Sequence, residues 1–211
     1  MKGLLIVISA PSGTGKTTLV NMLMNEIPTL EFSISCTTRK PRPGEIDGKD
    51  YYFLSLEEFE KKIENNELLE WAEVYGNFYG TPKDKVLQAL KEGKDILLDI
   101  DTQGALQVKK NYPDAVLIFI LPPSLKELEN RLRKRGTEDA KTMEKRLIVA
   151  RKEISLATKY DYIIINDQIE KAFENLKAII SAERWKTKRV KEQFDEIIKD
   201  DEMLKLLKSG A

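Results

Sequence analysis

Ala10-Pro11-Ser12-Gly13-Thr14-Gly15-Lys16-Thr17-Thr18 decides the fold of this 211-residue chain. Before it stands Leu4-Leu5-Ile6-Val7-Ile8, an apolar run of the length of a buried strand, and residues 19–26 after it continue as a helix. Strand, glycine-rich turn and helix together make a phosphate cradle. Glycines at 13 and 15 let backbone N–H groups turn toward an anion without a Cβ in the way, and the new helix aims its positive end at the same point. Lys16 then reaches the terminal phosphates as a point charge, and the Thr17 hydroxyl is placed to ligate Mg²⁺.

Ala10 stands where the pattern G-x-x-x-x-G-K-[ST] has its first glycine. Alanine can hold that place at negative φ, and the two glycines nearest the phosphates are kept. A turn that merely joined a strand to a helix would need neither the lysine nor the hydroxyl.

Composition narrows the chemistry. Lys+Arg 35 against Asp+Glu 35 leaves no net charge, so a long phosphate polymer is not the expected partner. No apolar run approaches the roughly 20 residues that span a bilayer, and the N-terminus lacks a signal-peptide profile, so the expectation is a cytoplasmic protein without membrane contact. The single cysteine, Cys36, excludes an intramolecular disulfide, and its strand-like surroundings make it a small buried hydrophobe. The absence of histidine removes the usual general base and the commonest transition-metal ligand. Phosphoryl transfer to an anionic acceptor needs neither, because its catalysis is mostly positioning and charge stabilisation.

Residues 32–37 read as a second strand running into the proline-punctuated loop Thr38-Arg39-Lys40-Pro41-Arg42-Pro43-Gly44-Glu45. That loop is either a solvated basic turn or a clamp in which Arg39 and Arg42 take a second phosphate. Tyr51-Tyr52-Phe53-Leu54 is strand-like, and Ser55-Leu56-Glu57-Glu58 is a capping box. Residues 68–75 alternate and meet residues 78–80 across a Gly76-Asn77 hairpin turn, and Thr81-Pro82 reads as an N-cap with proline at the first helical position. These short antiparallel pieces interrupt the strand-helix rhythm as an insertion would. Residues 95–101 return to the core as an apolar strand ending in Asp99 and Asp101, carboxylates at the edge that faces a phosphate loop.

Residues 115–121 form the next core strand, and Ser124 caps the helix after it. Residues 129–151 carry Arg131, Arg133, Arg135, Arg146 and Arg151, with a break at Arg135-Gly136-Thr137. They are either a solvated helical hairpin laced with ion pairs or a lid that brings arginines to a phosphoryl group. Residues 160–166 are a last strand, 169–182 a helix, and 183–208 a charged amphipathic helical tail whose apolar positions suit packing or self-association.

With these pieces laid out, the chain resembles the bacterial guanylate kinases over essentially its whole length. The likeness is carried by residues 10–18, SCTTRKPRPGE at 35–45, DYYF at 50–53, YGTP at 79–82, LDIDTQG at 98–104, RLRKRGT at 131–137 and YDYIIIND at 160–167. It implies one α/β domain with a P-loop NTPase three-layer core and a parallel sheet (about 1–35, 93–124 and 156–211). An inserted mixed α/β GMP-binding subdomain (about 36–92) and a helical lid (about 125–155) would complete it. The implied reaction is Mg²⁺-dependent transfer of the ATP γ-phosphoryl group to GMP, and to dGMP.

Carried over residue by residue, the resemblance places the GMP phosphate on Arg39, Arg42, Tyr51 and Tyr79. It places the guanine among Ser35, Glu70, Thr81 and Asp101, with Gly80 and Asp99 also on the GMP side. ATP falls to Ala10, Pro11, Ser12, Gly13, Thr14, Gly15, Lys16, Thr17 and Thr18 with Asn166 on the adenosine side, and Thr17 is the metal residue. Lys16, Arg39, Arg135 and Arg146 are the implied catalytic set, and Arg131 is a further lid member. Guanine offers donors at N1 and N2 and an acceptor at O6, which Glu70, Asp101 and Ser35 can complement. By pattern alone Glu70 is a solvent-facing strand carboxylate; only the resemblance reads it otherwise. A peptide-binding module of guanylate-kinase-like shape would lack a complete phosphate loop, whereas Lys16, Thr17 and the arginines are all present. A homo-oligomer is left open.

Overall fold

In the computed structural model, residues 2–74, 76–134, 140–191 and 193–209 are described. Leu5–Ser9 (β1) is buried at every position, and its side chains alternate between two cores. Ile6 and Ile8 belong to one core, Leu5 and Val7 to the other. A continuous apolar run of this kind is the mark of a strand covered on both faces.

The loop after β1 enters Lys16–Glu26 (α1), whose Leu19, Val20 and Leu23 are buried. Leu30–Phe32 (β2) follows. The chain then leaves the first sheet for Cys36–Thr37 (β3) and Tyr52–Phe53 (β4), and Leu56–Glu64 (α2) closes over them. Leu68–Val74 (β5) and Asn77–Pro82 (β6) make a hairpin turned by Gly76 at φ +76°. Lys83–Lys91 (α3), Asp95–Asp99 (β7), Thr102–Asn111 (α4) and Val116–Leu121 (β8) restore the alternating rhythm. Leu125–Lys134 (α5) and Ala140–Ser155 (α6) precede Tyr162–Ile165 (β9) and Ile169–Arg184 (α7). Thr187–Lys191 (α8), Phe194–Ile197 (α9) and Asp201–Ser209 (α10) end the chain.

Five strands form a wholly parallel sheet in the order β2-β7-β1-β8-β9. On one face α1 and α7 contribute Leu19, Leu23, Phe173 and Leu176; on the other α3 and α4 contribute Val86, Leu90, Ala105 and Val108. Helix, sheet and helix are the three expected layers. The remaining strands form a second, mixed sheet in the order β4-β3-β6-β5, with a small core of Cys36, Phe59 and Leu68. Burial there pushes the Cys36 thiol up to about 11, so it packs as a hydrophobe. A fourth cluster, Leu128, Leu132, Met143 and Ala150, holds α5 against α6. No described helix is long and apolar enough to cross a membrane.

Three expectations are corrected. The strand expected at 32–37 is two, because β2 pairs with β7 in the first sheet while β3 pairs with β4 and β6 in the second. Ser33 N still donates to Leu97 O, whereas Ser35 O already accepts from Tyr52 N, so the crossing falls between them. Thr81 does not cap a helix: it stays within β6, its hydroxyl donates to Glu70, and α3 begins after Pro82. The tail is three short helices rather than one. Asp200 Oδ1 accepts from Met203 N at 2.7 Å and starts α10 afresh, the competition an Asp side chain offers to a continuing helix. The break expected at residues 135–137 lies outside the described residues.

Candidate active site

The phosphate loop is held open by its own hydrogen bonds and by neighbours that tolerate no side chain on it. Thr14 is buried, and both its N–H and its hydroxyl donate to Pro11 O, at 3.3 and 2.8 Å. Gly13 and Gly15 have φ of +92° and +91°, a region that favours glycine. A Cβ on Gly15 would stand 2.6 Å from Asn166 Nδ2, and one on Gly13 3.0 Å from Leu132 of α5. Ala10 is buried in the core shared with α1 and α7, which explains a methyl where the motif has glycine. Ser12, Thr17 and Thr18 are exposed beside this loop.

Asn166 follows β9 and is itself buried. Its amide donates to Thr14 O at 2.7 Å, and its carbonyl accepts from Arg131 Nη1 at 3.1 Å. The residue therefore braces the loop from below and ties it to α5.

Lys16 opens α1 and pairs with Asp99 at the end of β7. The two stand in a cleft of about 340 Å³ lined by the loop, Ile100, Asp101 and Glu153. Glu153, on α6, was not singled out from sequence. Burial, with Asp101 nearby, raises its pKa, while Lys16 opposes the rise. Its signal is its place seven residues, two helical turns, after Arg146. Arg146 is half-buried on α6, and Arg135 lies outside the described residues.

The second cluster faces the first from β5, β6 and the start of α4. By strand alternation Leu68 faces the small core and Leu69 the large one, and a bulge between Leu68 and Glu70 sets Glu70 opposite Thr81. Thr81 Oγ1 donates to Glu70 Oε1 at 2.6 Å. Glu70 is 7% exposed, and burial, reinforced by Asp101 and opposed by the Thr81 hydrogen bonds, raises its pKa to about 7. Asp101 caps α4, Oδ1 accepting from Gln103 N and Gly104 N at 2.8 Å each. Gly104 lets Glu70 approach: a Cβ there would lie 2.9 Å from Glu70 Oε2.

Helix α4 fastens this cluster to the parallel sheet. Gln107 exchanges hydrogen bonds with Trp71 N and O at 3.2 and 3.0 Å, and Asn111 Nδ2 donates to Leu69 O at 2.8 Å. These side chains replace the strand that would otherwise pair with β5. Ser35, half-buried, sits where the chain crosses between sheets, and Gly80 is buried opposite Cys36.

Arg39 lies with the aromatic residues of the second sheet. Its guanidinium stands 5.4 Å from the Tyr51 ring centroid and 5.9 Å from that of Phe53, and the Tyr79 ring meets Tyr51 edge-on at 6.1 Å. Hydrogen bonding to Glu45 chiefly, and to Tyr79, raises the Arg39 pKa further and keeps it charged. Arg42 is exposed in the same loop.

Two cation-bearing clusters thus stand on separate sheets, one on a phosphate loop and one beside a buried carboxylate. The guanylate kinase family model matches residues 2–183. The chain belongs to the guanylate kinase family. It is 55% identical over 193 residues to the guanylate kinase of Clostridium tetani, covering 92% of each chain. It is 53% identical over 189 residues to that of Carboxydothermus hydrogenoformans, covering 90% of this chain and 93% of the relative. The crystal structure of guanylate kinase from Anaplasma phagocytophilum superposes with a TM-score of 0.69 at 36% identity, covering 94% of this chain and 97% of that one. A guanylate kinase fold therefore underlies both clusters, with the phosphate loop, Asn166 and α5 as one unit and β5, β6 and α4 as the other.

Proposed function

We propose that this chain transfers the γ-phosphoryl group of ATP to GMP, and to dGMP, giving ADP and GDP or dGDP. The observation that carries the reading is the pairing of a phosphate loop bearing Lys16 and Thr17 with a buried Glu70 coupled to Asp101, which itself lines the phosphate-loop cleft. ATP phosphates lie on the loop amides and Lys16, and Asn166 steadies the loop on the adenosine side. On arrival of the phosphates Lys16 exchanges Asp99 for them and follows the charge as it moves between oxygens.

GMP takes the second cluster. Its phosphate lies on Arg39, Arg42, Tyr51 and Tyr79, its guanine among Ser35, Glu70, Thr81 and Asp101, and Gly80 and Asp99 complete the GMP side. Donors at guanine N1 and N2 meet carboxylate oxygens, and the Ser35 hydroxyl donates to O6. The five-stranded parallel sheet with its helices forms the donor core, the second sheet the acceptor-binding insertion, and residues 125–155 the lid, whose Arg131, Arg135 and Arg146 serve the transferring group while water is excluded. Among the described residues no group of three or more His, Cys, Asp or Glu could hold a metal. That donor set suits Mg²⁺, which keeps most of its waters and would be held by the Thr17 hydroxyl and phosphate oxygens, neutralising charge as the bond breaks.

Purified chain, ATP and Mg²⁺ are incubated with GMP, AMP, CMP or UMP in turn, and the nucleotide products are separated. GDP and ADP are expected in equal amounts with GMP, with little product from the others. ADP released without GDP, or equal use of AMP, would overturn the reading.

A further inference from the structure

Glu45 closes the proline-punctuated loop upon itself, with Gly44 at φ +90° making the turn. Its carboxylate meets Arg39 end-on: Nη1 donates to Oε2 at 3.0 Å and Nη2 to Oε1 at 2.8 Å. Oε2 also accepts from Arg42 N at 2.7 Å, and Glu45 N donates back to Arg42 O at 3.0 Å. The second Nη1 hydrogen goes to Lys40 O at 2.8 Å. One carboxylate therefore holds the guanidinium of one arginine and the backbone of the other.

A guanidinium has five N–H donors in a fixed plane and can bind an oxyanion through either of two edges. Glu45 and Lys40 occupy the Nη1/Nη2 end. The side-on edge, Nε–H with the outer Nη2–H, is used by neither Glu45 nor Lys40, and the Tyr79 phenol, itself assigned to the acceptor phosphate, hydrogen-bonds to the same guanidinium. Tyr51 and Phe53 constrain the guanidinium plane. End and plane are held while one edge is kept for an oxyanion.

We propose that Glu45 is a positioning residue for the acceptor phosphate, fixing Arg39 so that its side-on edge meets the GMP phosphate and locking Arg42 into the same turn. The inference rests on the proposed GMP reading of Arg39. Its physical basis is preorganisation: an arginine already immobilised loses less freedom when the nucleotide binds. A carboxylate that instead occupied the site of the phosphate would have the opposite effect on affinity.

Glu45→Gln keeps the size and removes the charge. In the full chain with ATP and Mg²⁺, the KM for GMP is expected to rise about 10- to 30-fold, the scale of one charge-assisted hydrogen bond. The KM for ATP and the melting temperature should stay at parental values. In the Arg39→Ala background the same substitution should raise the KM for GMP by clearly less than in the parent, because only the hold on Arg42 is then left to lose. A fall in the KM for GMP, an equal rise for both nucleotides, or an additive effect in the double variant would overturn the proposal. Parental turnover of GMP in the same series separates the two readings: its absence sinks the acceptor assignment, whereas an unmoved KM for Glu45→Gln on an active parent sinks the role of Glu45 alone.

Discussion

Glu70 holds its proton to about pH 7, chiefly because burial penalises the charged form and next because Asp101 is a like charge nearby; Thr81 offsets part of this. The folded pKa is raised above the ordinary 4.5, so the folded chain binds this proton more tightly than the unfolded chain. Its contribution to stability is therefore fully present below about pH 4.5 and is lost as pH rises through about 7. Glu70→Gln removes the titration while keeping an acceptor for Thr81. Relative to the parent, the variant should gain on the order of 2 kcal/mol between pH 5 and pH 8, read from urea unfolding at the two pH values. A stability difference that does not move with pH would mean that Glu70 is ionised without cost in the folded chain.

The elements that fix this carboxylate were legible only in part. The alternation of residues 68–74 and the Gly76-Asn77 turn foretell the hairpin, and the apolar runs of β1, β7 and β8 foretell a buried parallel sheet. Nothing in periodicity foretells the bulge that sets Glu70 opposite Thr81, because one extra residue in β5 leaves no mark on the apolar pattern. Gln107 and Asn111 carry no local signal of their role, since pairing with the backbone of β5 is a tertiary event that a local pattern cannot carry. Thr81-Pro82 has the composition of a helix start, yet the threonine hydroxyl goes to a buried carboxylate eleven residues away in sequence. Gly104 is a sharper case, since a glycine inside a helix lowers stability by roughly 0.5–1 kcal/mol relative to alanine. Here it makes room for Glu70 Oε2. Gly104→Ala should therefore leave the melting temperature level or slightly raised while increasing the KM for GMP about tenfold or more, as the carboxylate is displaced. A variant that loses stability but keeps its KM would assign Gly104 to packing alone.

Across the whole molecule, the two clusters belong to different sheets joined through α4, with Asp101 at its start and Gln107 and Asn111 along its length. The phosphate loop has its own supports in Asn166 and, through Arg131, in α5. Changes on the second sheet should then alter use of the acceptor and leave the donor alone. The central claim is that Glu70 reads guanine, accepting from N1–H or N2–H₂ where adenine would present an unprotonated N1. Sites that pair buried polar groups with a substrate reject a mismatched analogue by roughly 10⁴- to 10⁵-fold. The most direct measurement is kcat/KM for GMP and for AMP in the parent and in Glu70→Gln, at saturating ATP and Mg²⁺. A large fall is expected for GMP, with an unchanged KM for ATP and little absolute gain for AMP because Asp101 remains. A GMP-to-AMP ratio unaltered by the substitution would contradict the claim, and Glu70 would be a buried structural carboxylate with no part in selecting the base.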